Sequence, residues 1–258
     1  MLIDTHAHLN DPTLYADYQG VIKRANDAGV AEIINVGFDY PSSVMAVRLA
    51  EKHDQLWAMV GVHPHDADSY NDDIENKLKK LAASPKVVAI GEIGLDFYYD
   101  NSPRELQREV FRKQLALAKE LNKPVSIHDR EAHGNLLQIL RERDWQGIGG
   151  ILHCFSGSYE MAKECINLGF YISFGGPLTF KNAVNLQDLA AKVPLERILV
   201  ETDCPYLSPH PLRGKVNEPA NVVYVAQKLA ELRQCPYEEI CRITTENTCR
   251  LLFNSRQV

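Results

Sequence analysis

The feature that most constrains this chain is a series of eight short apolar runs, each followed by a longer stretch with the pattern of an amphipathic helix. The runs are nearly continuous in apolar residues, which is typical of parallel strands covered on both faces by helices. Their ends lie roughly 30 residues apart, the length of one strand–helix unit. The sequence therefore predicts a parallel sheet with strands at residues 2–6, 32–36, 56–62, 87–91, 125–128, 150–153, 170–174 and 197–202.

Helical patterns fill the intervals at residues 18–28, 42–52, 72–82, 104–121, 132–143, 158–168, 183–192, 221–232 and 237–253. Eight strand–helix units in 258 residues match a closed (β/α)8 TIM barrel, which typically has ~250 residues. An open doubly wound sheet is the alternative, but it usually has a Gly-rich turn after its first strand, where this chain has His6 and His8. We predict an α/β barrel as a single domain over residues 1–258, with 254–258 as a frayed tail.

The composition argues against several other classes of protein. With 45% hydrophobic and 24% charged residues, the chain matches an ordinary globular domain. Its net charge of −6 argues against a protein that coats long nucleic acid through a basic surface. No run approaches the ~18 apolar residues of a membrane span. Six cysteines without a C-x-x-C pair are typical of reduced thiols. We therefore expect a cytoplasmic protein with no membrane association and no obligate protein partner.

Metal-ligating residue types follow five of the predicted strands. His6 and His8 share one face, because side chains of extended backbone alternate. The other four candidates end or follow later strands and are Glu92, His128, His153 and Asp203. Barrel enzymes build their sites at the carboxyl ends of their strands, so we expect the six side chains to meet. Each histidine alone is better explained as an ordinary core or cap residue, so the metal-site hypothesis depends on the whole set.

Four imidazoles and two carboxylates are too many for one tetrahedral ion, which favours two divalent ions bridged by Glu92. The predicted sets are His6, His8, Glu92 and Asp203 around one ion, and Glu92, His128 and His153 around the other. Nitrogen and oxygen ligands without thiolate suit Zn²⁺ or Mn²⁺, with Mg²⁺ bound more weakly. Two ions flanking a water serve hydrolysis, in which Asp203 can act as general base.

Further residues near the same strand ends are candidates for substrate contacts. His63 and His65 can donate hydrogen bonds to a phosphate, as can Arg130, and Tyr206 can stack on a base. The same hypothesis covers Lys181, Arg213, Lys215, Tyr98, Tyr99 and Phe155, although loop charges are usually solvated and aromatic rings usually pack. Glu201 is a candidate to hold a further ion or to orient a ligand, with a buried hydrogen-bond acceptor as the alternative.

Five motifs in order along essentially the whole chain are similar to those of the TatD family of metal-dependent hydrolases, in the amidohydrolase superfamily. They are IDTHAHL at 3–9, GVHPH at 61–65, GEIGLD at 91–96, HCFSG at 153–157 and ETDCPYL at 201–207. The resemblance implies a deoxyribonuclease that trims single-stranded DNA from the 3′ end. It also implies that the six residues named above are metal ligands, with Asp203 as the catalytic acid and Glu92 at the bridging position.

Two other functions stay open from the sequence. A hydrolase of the same architecture can act on another ester or amide, such as an aminoacyl ester on RNA or a small cyclic amide. Amide hydrolases of the superfamily often bridge their metals with a carbamylated lysine, and Glu92 at this position favours phosphate esters by analogy. A noncatalytic metal-binding or scaffold protein is disfavoured, because all six ligands and a candidate base are present.

Overall fold

The computed structural model describes residues 1–253 and contains a ring of eight parallel strands. The strands are β1 (Leu2–Ala7), β2 (Val30–Val36), β3 (Leu56–Val60), β4 (Val87–Asp96), β5 (Val125–Arg130), β6 (Gly150–Leu152), β7 (Phe170–Phe174) and β8 (Ile198–Val200). Each strand pairs with the next in chain order, and a parallel bridge between Ala7 and Cys204 connects the last to the first. The predicted (β/α)8 barrel is confirmed. The predicted tail at 254–258 lies outside the described residues.

Helices follow the strands and pack around the ring. They are α1 (Pro12–Tyr15), α2 (Tyr18–Asp27), α3 (Tyr40–Lys52), α4 (Asp72–Leu81), α5 (Arg104–Glu120), α6 (His133–Leu140), α7 (Tyr159–Asn167), α8 (Val184–Lys192), α9 (Val222–Arg233) and α10 (Tyr237–Leu252). Local chemistry fixes several starts: Asp39 and Ser42 form a capping box on α3, and Ser158 caps α7. Helix α6 is shorter than predicted, because a separate 3₁₀ turn forms at Arg143–Trp145. Within residues 1–253, every helix is too short or too polar to cross a bilayer.

Four strands end two or more residues away from the sequence prediction: β3 ends at Val60, β4 at Asp96, β5 at Arg130 and β8 at Val200. Strand β4 continues to Asp96, so Glu92 lies within the strand and not beyond its end. Its pairing with β5 shifts register between Ile90 and Ile93, which lets the strand continue past this point. Strand β8 stops at Val200, two residues earlier than predicted. Shortly after it, Asp203 adopts a φ of 55°, a left-handed conformation incompatible with extended backbone.

A buried carboxylate ties β1 to the segment after β8. Asp4 accepts hydrogen bonds from the Thr202 backbone N–H at 2.9 Å and from the Thr202 hydroxyl at 2.6 Å. Alongside, the Asp203 N–H donates to the His6 carbonyl at 2.9 Å. Burial raises the pKa of Asp4 to about 8 although these hydrogen bonds lower it. The contacts bring the first and last strand ends, and therefore His6 and Asp203, together.

The buried apolar side chains form two clusters. The larger lies between the outer faces of the strands and the helices. The smaller combines residues from seven strands with the end of α10, and we call it the barrel floor: Ile3, Ile34, Val36, Met59, Val88, Ala89, Ile151, Tyr171, Leu199, Cys249 and Leu252. Side chains from all round a ring can meet only inside it, so this cluster fills the barrel interior beneath the strand carboxyl ends. Ile3, Val88 and Tyr171 lie near the start of their strands, whereas Val36 is the last residue of β2.

Candidate metal centre

The six predicted ligands converge at the carboxyl ends of the strands around the buried side chain of Glu92. Its Oε2 atom lies 3.4 Å from His6 Nε2 and 3.8 Å from His8 Nε2. Its Oε1 atom lies 2.7 Å from His153 Nε2 and 3.0 Å from His128 Nδ1. Each oxygen of this carboxylate thus faces a different pair of imidazoles, and the two pairs adjoin where the His6 ring stacks on that of His153.

Asp203 completes the first of these groups. Its Oδ1 atom lies 3.4 Å from His8 Nε2 and 3.9 Å from His6 Nε2. Ligand atoms of His6, His8 and Asp203 all lie within 4.8 Å of one another, close enough to share one ion. The structure therefore places together the residues that the sequence assigned to one ion.

Hydrogen bonds on the far side of the imidazoles set which nitrogen faces the centre. His8 Nδ1–H donates to the Val36 carbonyl at 3.0 Å, so Nε2 is the nitrogen that faces Glu92 and Asp203. His128 Nε2–H donates to Asp96 Oδ2 at 3.1 Å, so Nδ1 is the nitrogen that faces Glu92, 3.0 Å from its Oε1. Such outer partners fix the tautomer and ring orientation that metal ligation needs.

The donor set fits divalent cations. His6 Nε2 is buried and has no hydrogen-bond partner among the described residues, an arrangement that is costly for a polar atom unless a ligand satisfies it. The His6 and His153 rings stack with centroids 4.0 Å apart, and ligand atoms of these two histidines and of Glu201 all lie within 4.8 Å of one another. Imidazole nitrogens with carboxylate oxygens, and no thiolate facing them, suit Zn²⁺ or Mn²⁺.

The charges at the centre are strongly coupled. Burial alone raises the pKa of Glu92, but the facing His153 and His63 outweigh it and hold that pKa well below its usual range. Burial lowers the pKa of His153, whereas Glu92 and Glu201 raise it well above the ordinary value. Without an ion, Glu92 and His153 are therefore a charged pair. A cation bound here would displace the His153 proton, because only the neutral imidazole is a ligand.

His63, predicted to contact phosphate, also reaches the centre, with Nε2 3.5 Å from Glu92 Oε1. Its ligand atom lies within 4.8 Å of those of Glu92 and His128. Its Nδ1 accepts the His65 backbone N–H at 3.1 Å, so the neutral ring carries its hydrogen on Nε2. Burial lowers the pKa of His63 to about 4, which keeps the ring neutral at pH 7. This geometry favours a hydrogen-bond donor over a metal ligand.

Asp96 is a site residue that the sequence analysis did not assign. Its Oδ2 accepts hydrogen bonds from His65 Nε2–H at 2.9 Å and from His128 Nε2–H at 3.1 Å. Burial raises the pKa of Asp96, but the His128 hydrogen bond and others outweigh it and hold that pKa well below the ordinary value. The available signal was its place in the GEIGLD motif, four residues after Glu92. Its partner His128 could be identified only from coordinates.

Glu201 is fully buried and occupies a similar position beside His153. Its Oε1 accepts the Cys154 backbone N–H at 2.6 Å and lies 3.4 Å from His153 Nδ1. Its Oε2 has no hydrogen-bond partner among residues 1–253. The Cys154 contact fits the alternative that Glu201 is a buried hydrogen-bond acceptor, and these contacts are also compatible with an orienting group or a holder of a further ion. Burial and the nearby carboxylates raise the pKa of Cys154 well above its usual value, which keeps it a thiol.

The candidate substrate residues separate into exposed and buried ones. Arg130 is exposed at the end of β5, and Tyr206 is exposed with its hydroxyl donating to Asp11 Oδ2 at 3.2 Å. Phe155 is buried in the larger core cluster, so the hypothesis that it stacks on bases is wrong. The Arg213 guanidinium lies 4.1 Å from the Phe180 ring centroid. Phe180 follows β7 and Arg213 lies in the segment after β8.

Comparison with known proteins identifies the family of this chain. A protein-family model described as "TatD related DNase" matches residues 3–253. The chain is 50% identical over 251 residues to a metal-dependent hydrolase, YabD, of Bacillus subtilis, covering 97% of this chain and 98% of that protein. It is 37% identical over 258 residues to the 3′-5′ ssDNA/RNA exonuclease TatD of Edwardsiella piscicida, covering 98% and 99% of the two proteins.

A solved structure has the same fold over nearly the full length. The TatD homologue YJJV of Escherichia coli K12 superposes with a TM-score of 0.92 at 35% identity, covering 98% of each chain. The family model, which matches residues 3–253, spans all five sequence motifs. The chain therefore belongs to the TatD family of metal-dependent hydrolases.

Proposed function

We propose that this protein removes nucleotides from the 3′ end of single-stranded DNA by hydrolysing phosphodiester bonds with two divalent cations. The observation that carries the proposal is that the two carboxylate oxygens of Glu92 face different histidines. Oε2 faces His6 and His8, whereas Oε1 faces His128 and His153. A carboxylate that presents one oxygen to each of two ligand groups fits the bridge between the cations of a two-metal hydrolase.

The residues of the chain have separate roles in the proposed reaction. His6, His8, Glu92 and Asp203 would hold one cation, and Glu92, His128 and His153 the other. When bound, the cations lower the pKa of water and stabilise charge on the attacking and leaving oxygens. Burial raises the pKa of Asp203, but its hydrogen bond with His8 and the other histidines outweigh it and lower that pKa. Asp203 is therefore ionised at neutral pH and can accept a proton from the attacking water.

Other residues would bind the phosphate. His63 presents a neutral Nε2–H beside Glu92, where it can donate to a phosphate oxygen. Arg130 supplies a positive charge at the rim of the same mouth. The strand polarity and single-stranded substrate are supported by the 37% identity to a 3′-5′ ssDNA/RNA exonuclease. The phosphodiester, and not an amide, is supported by Glu92 at the bridging position.

The test is incubation of purified protein with 5′-labelled single-stranded DNA and Mg²⁺, Mn²⁺ or Zn²⁺. We expect a ladder that shortens from the 3′ end and disappears with EDTA. Elemental analysis of metal-loaded protein should give two ions per chain, both diminished in Glu92→Gln. An aminoacyl ester and a cyclic amide are run in parallel. Turnover of either one, with the DNA left intact, would contradict the proposal.

A further inference from the structure

Two exposed tyrosines and an arginine lie together beside the metal centre. The Arg130 guanidinium lies 4.3 Å from the Tyr98 ring centroid and 4.9 Å from that of Tyr99. The two rings are 5.0 Å apart and nearly perpendicular, so the guanidinium lies in the corner between them. Tyr98 is 60% exposed and Tyr99 is 54% exposed. Large ring surfaces therefore face solvent, whereas most other aromatic side chains among the described residues are buried or partly buried.

A continuous series of rings connects this cluster to the metal ligands. The Tyr99 and His65 ring centroids are 5.4 Å apart, and those of His65 and His63 are 4.3 Å apart. The His63 ring in turn lies 4.4 Å from that of His128. A nucleotide with its phosphate at the centre can therefore place a neighbouring base against the cluster.

Asp96 fixes the cluster relative to the metal ligands. Its Oδ1 accepts the backbone N–H groups of both Tyr98 and Tyr99, each at 2.9 Å. Its Oδ2 is the acceptor for His128. Arg130 is paired directly with Asp96 across the β4–β5 register. One carboxylate thus positions the backbone of the tyrosines and a metal ligand together.

A comparison with the other end of the barrel indicates that the cluster is not a packing feature. There Arg197 lies 5.0 Å from the Tyr171 ring centroid, but Tyr171 is buried in the barrel floor. The Arg197 pair therefore has an ordinary structural role. The exposed pair at the mouth covers no core and leaves aromatic and guanidinium surface available.

We propose that Tyr98, Tyr99 and Arg130, together the tyrosine platform, stack a nucleobase of the DNA strand whose phosphate lies at the metal centre. This inference rests on the proposed nuclease function. Aromatic rings and guanidinium planes stack on every base, because each base has a π face. The platform would therefore favour base-bearing over base-free strands, with little dependence on sequence.

The test compares oligonucleotides that carry a tetrahydrofuran abasic residue at one of the last four positions with the intact strand. For the wild type, we expect kcat/KM to fall about tenfold when the stacked base is missing, mostly through KM. In the Tyr98→Ala/Tyr99→Ala variant, the ratio of intact to abasic kcat/KM should approach one. Alanine keeps both backbone N–H groups, so the Asp96 hydrogen bonds are retained. Arg130→Ala should lower the ratio partly.

Arg197→Ala is the matched control, and its ratio should equal that of the wild type. If the wild type and the double variant discriminate equally between the intact and the abasic strands, the platform proposal is overturned. The nuclease proposal is unaffected by that result. If the wild type cleaves no DNA, the nuclease proposal fails instead. Fluorescence anisotropy with the same strands then decides the platform directly: lost preference for the intact strand in the double variant supports it, and unchanged preference overturns it.

Discussion

The two ends of the barrel are both buried, but they are filled by opposite kinds of side chain. The floor holds apolar groups such as Ile3, Met59 and Leu199, with the end of α10 packed against them. The mouth holds imidazoles and carboxylates, including His6 and Glu92, each less than a tenth exposed. Burial of an apolar side chain stabilises the fold by itself, whereas each buried polar atom at the mouth needs a hydrogen-bond partner or a bound ligand.

The difference indicates that the floor stabilises the fold, whereas the mouth carries the chemistry. Buried atoms such as His6 Nε2 and Glu201 Oε2 have no hydrogen-bond partner among the described residues, and both lie at the mouth. They are the places where bound cations would complete the structure. The floor supplies the rigidity that holds this costly arrangement in place. Mutations at the two ends should therefore affect different measurements.

The largest effect is expected at the mouth. Asp203→Asn should lower kcat by about 10²- to 10⁴-fold, because the amide cannot accept the proton of the attacking water. Thermal unfolding should change little, since the side chain keeps its shape. Asp188→Asn, at an exposed pair with Lys192 on α8, is the matched control. A wild-type rate for Asp203→Asn would remove it from the proposed general-base role.

The floor should respond in the opposite way. Leu199→Ala removes a fully buried side chain and should lower the free energy of unfolding by about 2–5 kcal/mol. The value of kcat per folded molecule, measured below the unfolding transition, should stay within about twofold. Val184→Ala, at an exposed position, controls for the substitution itself. A large loss of kcat in folded Leu199→Ala would show that the two ends are not separable.

A smaller effect tests the groups behind the ligands. Asp96→Asn should weaken binding of the cation at His128 by about 10- to 100-fold, because the imidazole loses the acceptor that fixes its tautomer. Competition with a chromogenic chelator measures this affinity. The other cation should be affected less, since His8 is oriented by the Val36 carbonyl. Equal weakening of both cations would argue for a general disturbance of the mouth.

The smallest effect lies just outside the mouth, at His133. Its Nδ1 lies 2.7 Å from Asp129 Oδ2, and this hydrogen bond raises the pKa of His133. A raised folded-state pKa stabilises the protein below the ordinary histidine value, and the contribution disappears as the pH rises through the folded-state pKa. Solvent screening keeps it under about 1 kcal/mol. NMR titration should show a lower His133 pKa in Asp129→Asn; identical curves would exclude the interaction.

Much of the fold and of the ligand set could be predicted from the sequence. Apolar runs and helical periodicity are local properties, so eight strands and the main helices were found nearly in place. The ligand types were recognisable because His6, His128 and His153 end or follow apolar runs. The strand ends at Asp96 and Val200 were not predicted, because a register shift and a left-handed residue depend on neighbouring strands.

Other features required coordinates for similar reasons. The tautomer of His63 depends on a backbone N–H two residues away. The role of Asp96 depends on contacts with β5 and with the loop after β3. Whether an aromatic residue near the mouth is exposed, like Tyr98, or buried, like Phe155, depends on packing that no local pattern records.

The sequence by itself determined the parallel barrel, the residues able to ligate metal and their location at the carboxyl ends of the strands. Strand direction and side-chain type can be recognised from short stretches of the chain. Only the tertiary structure decided which oxygen of Glu92 faces which histidines and how Asp96 connects His128 to the tyrosine platform. These relations join side chains separated by many positions in the chain. Their distances are set by closure of the ring and by hydrogen bonds that form only after it closes.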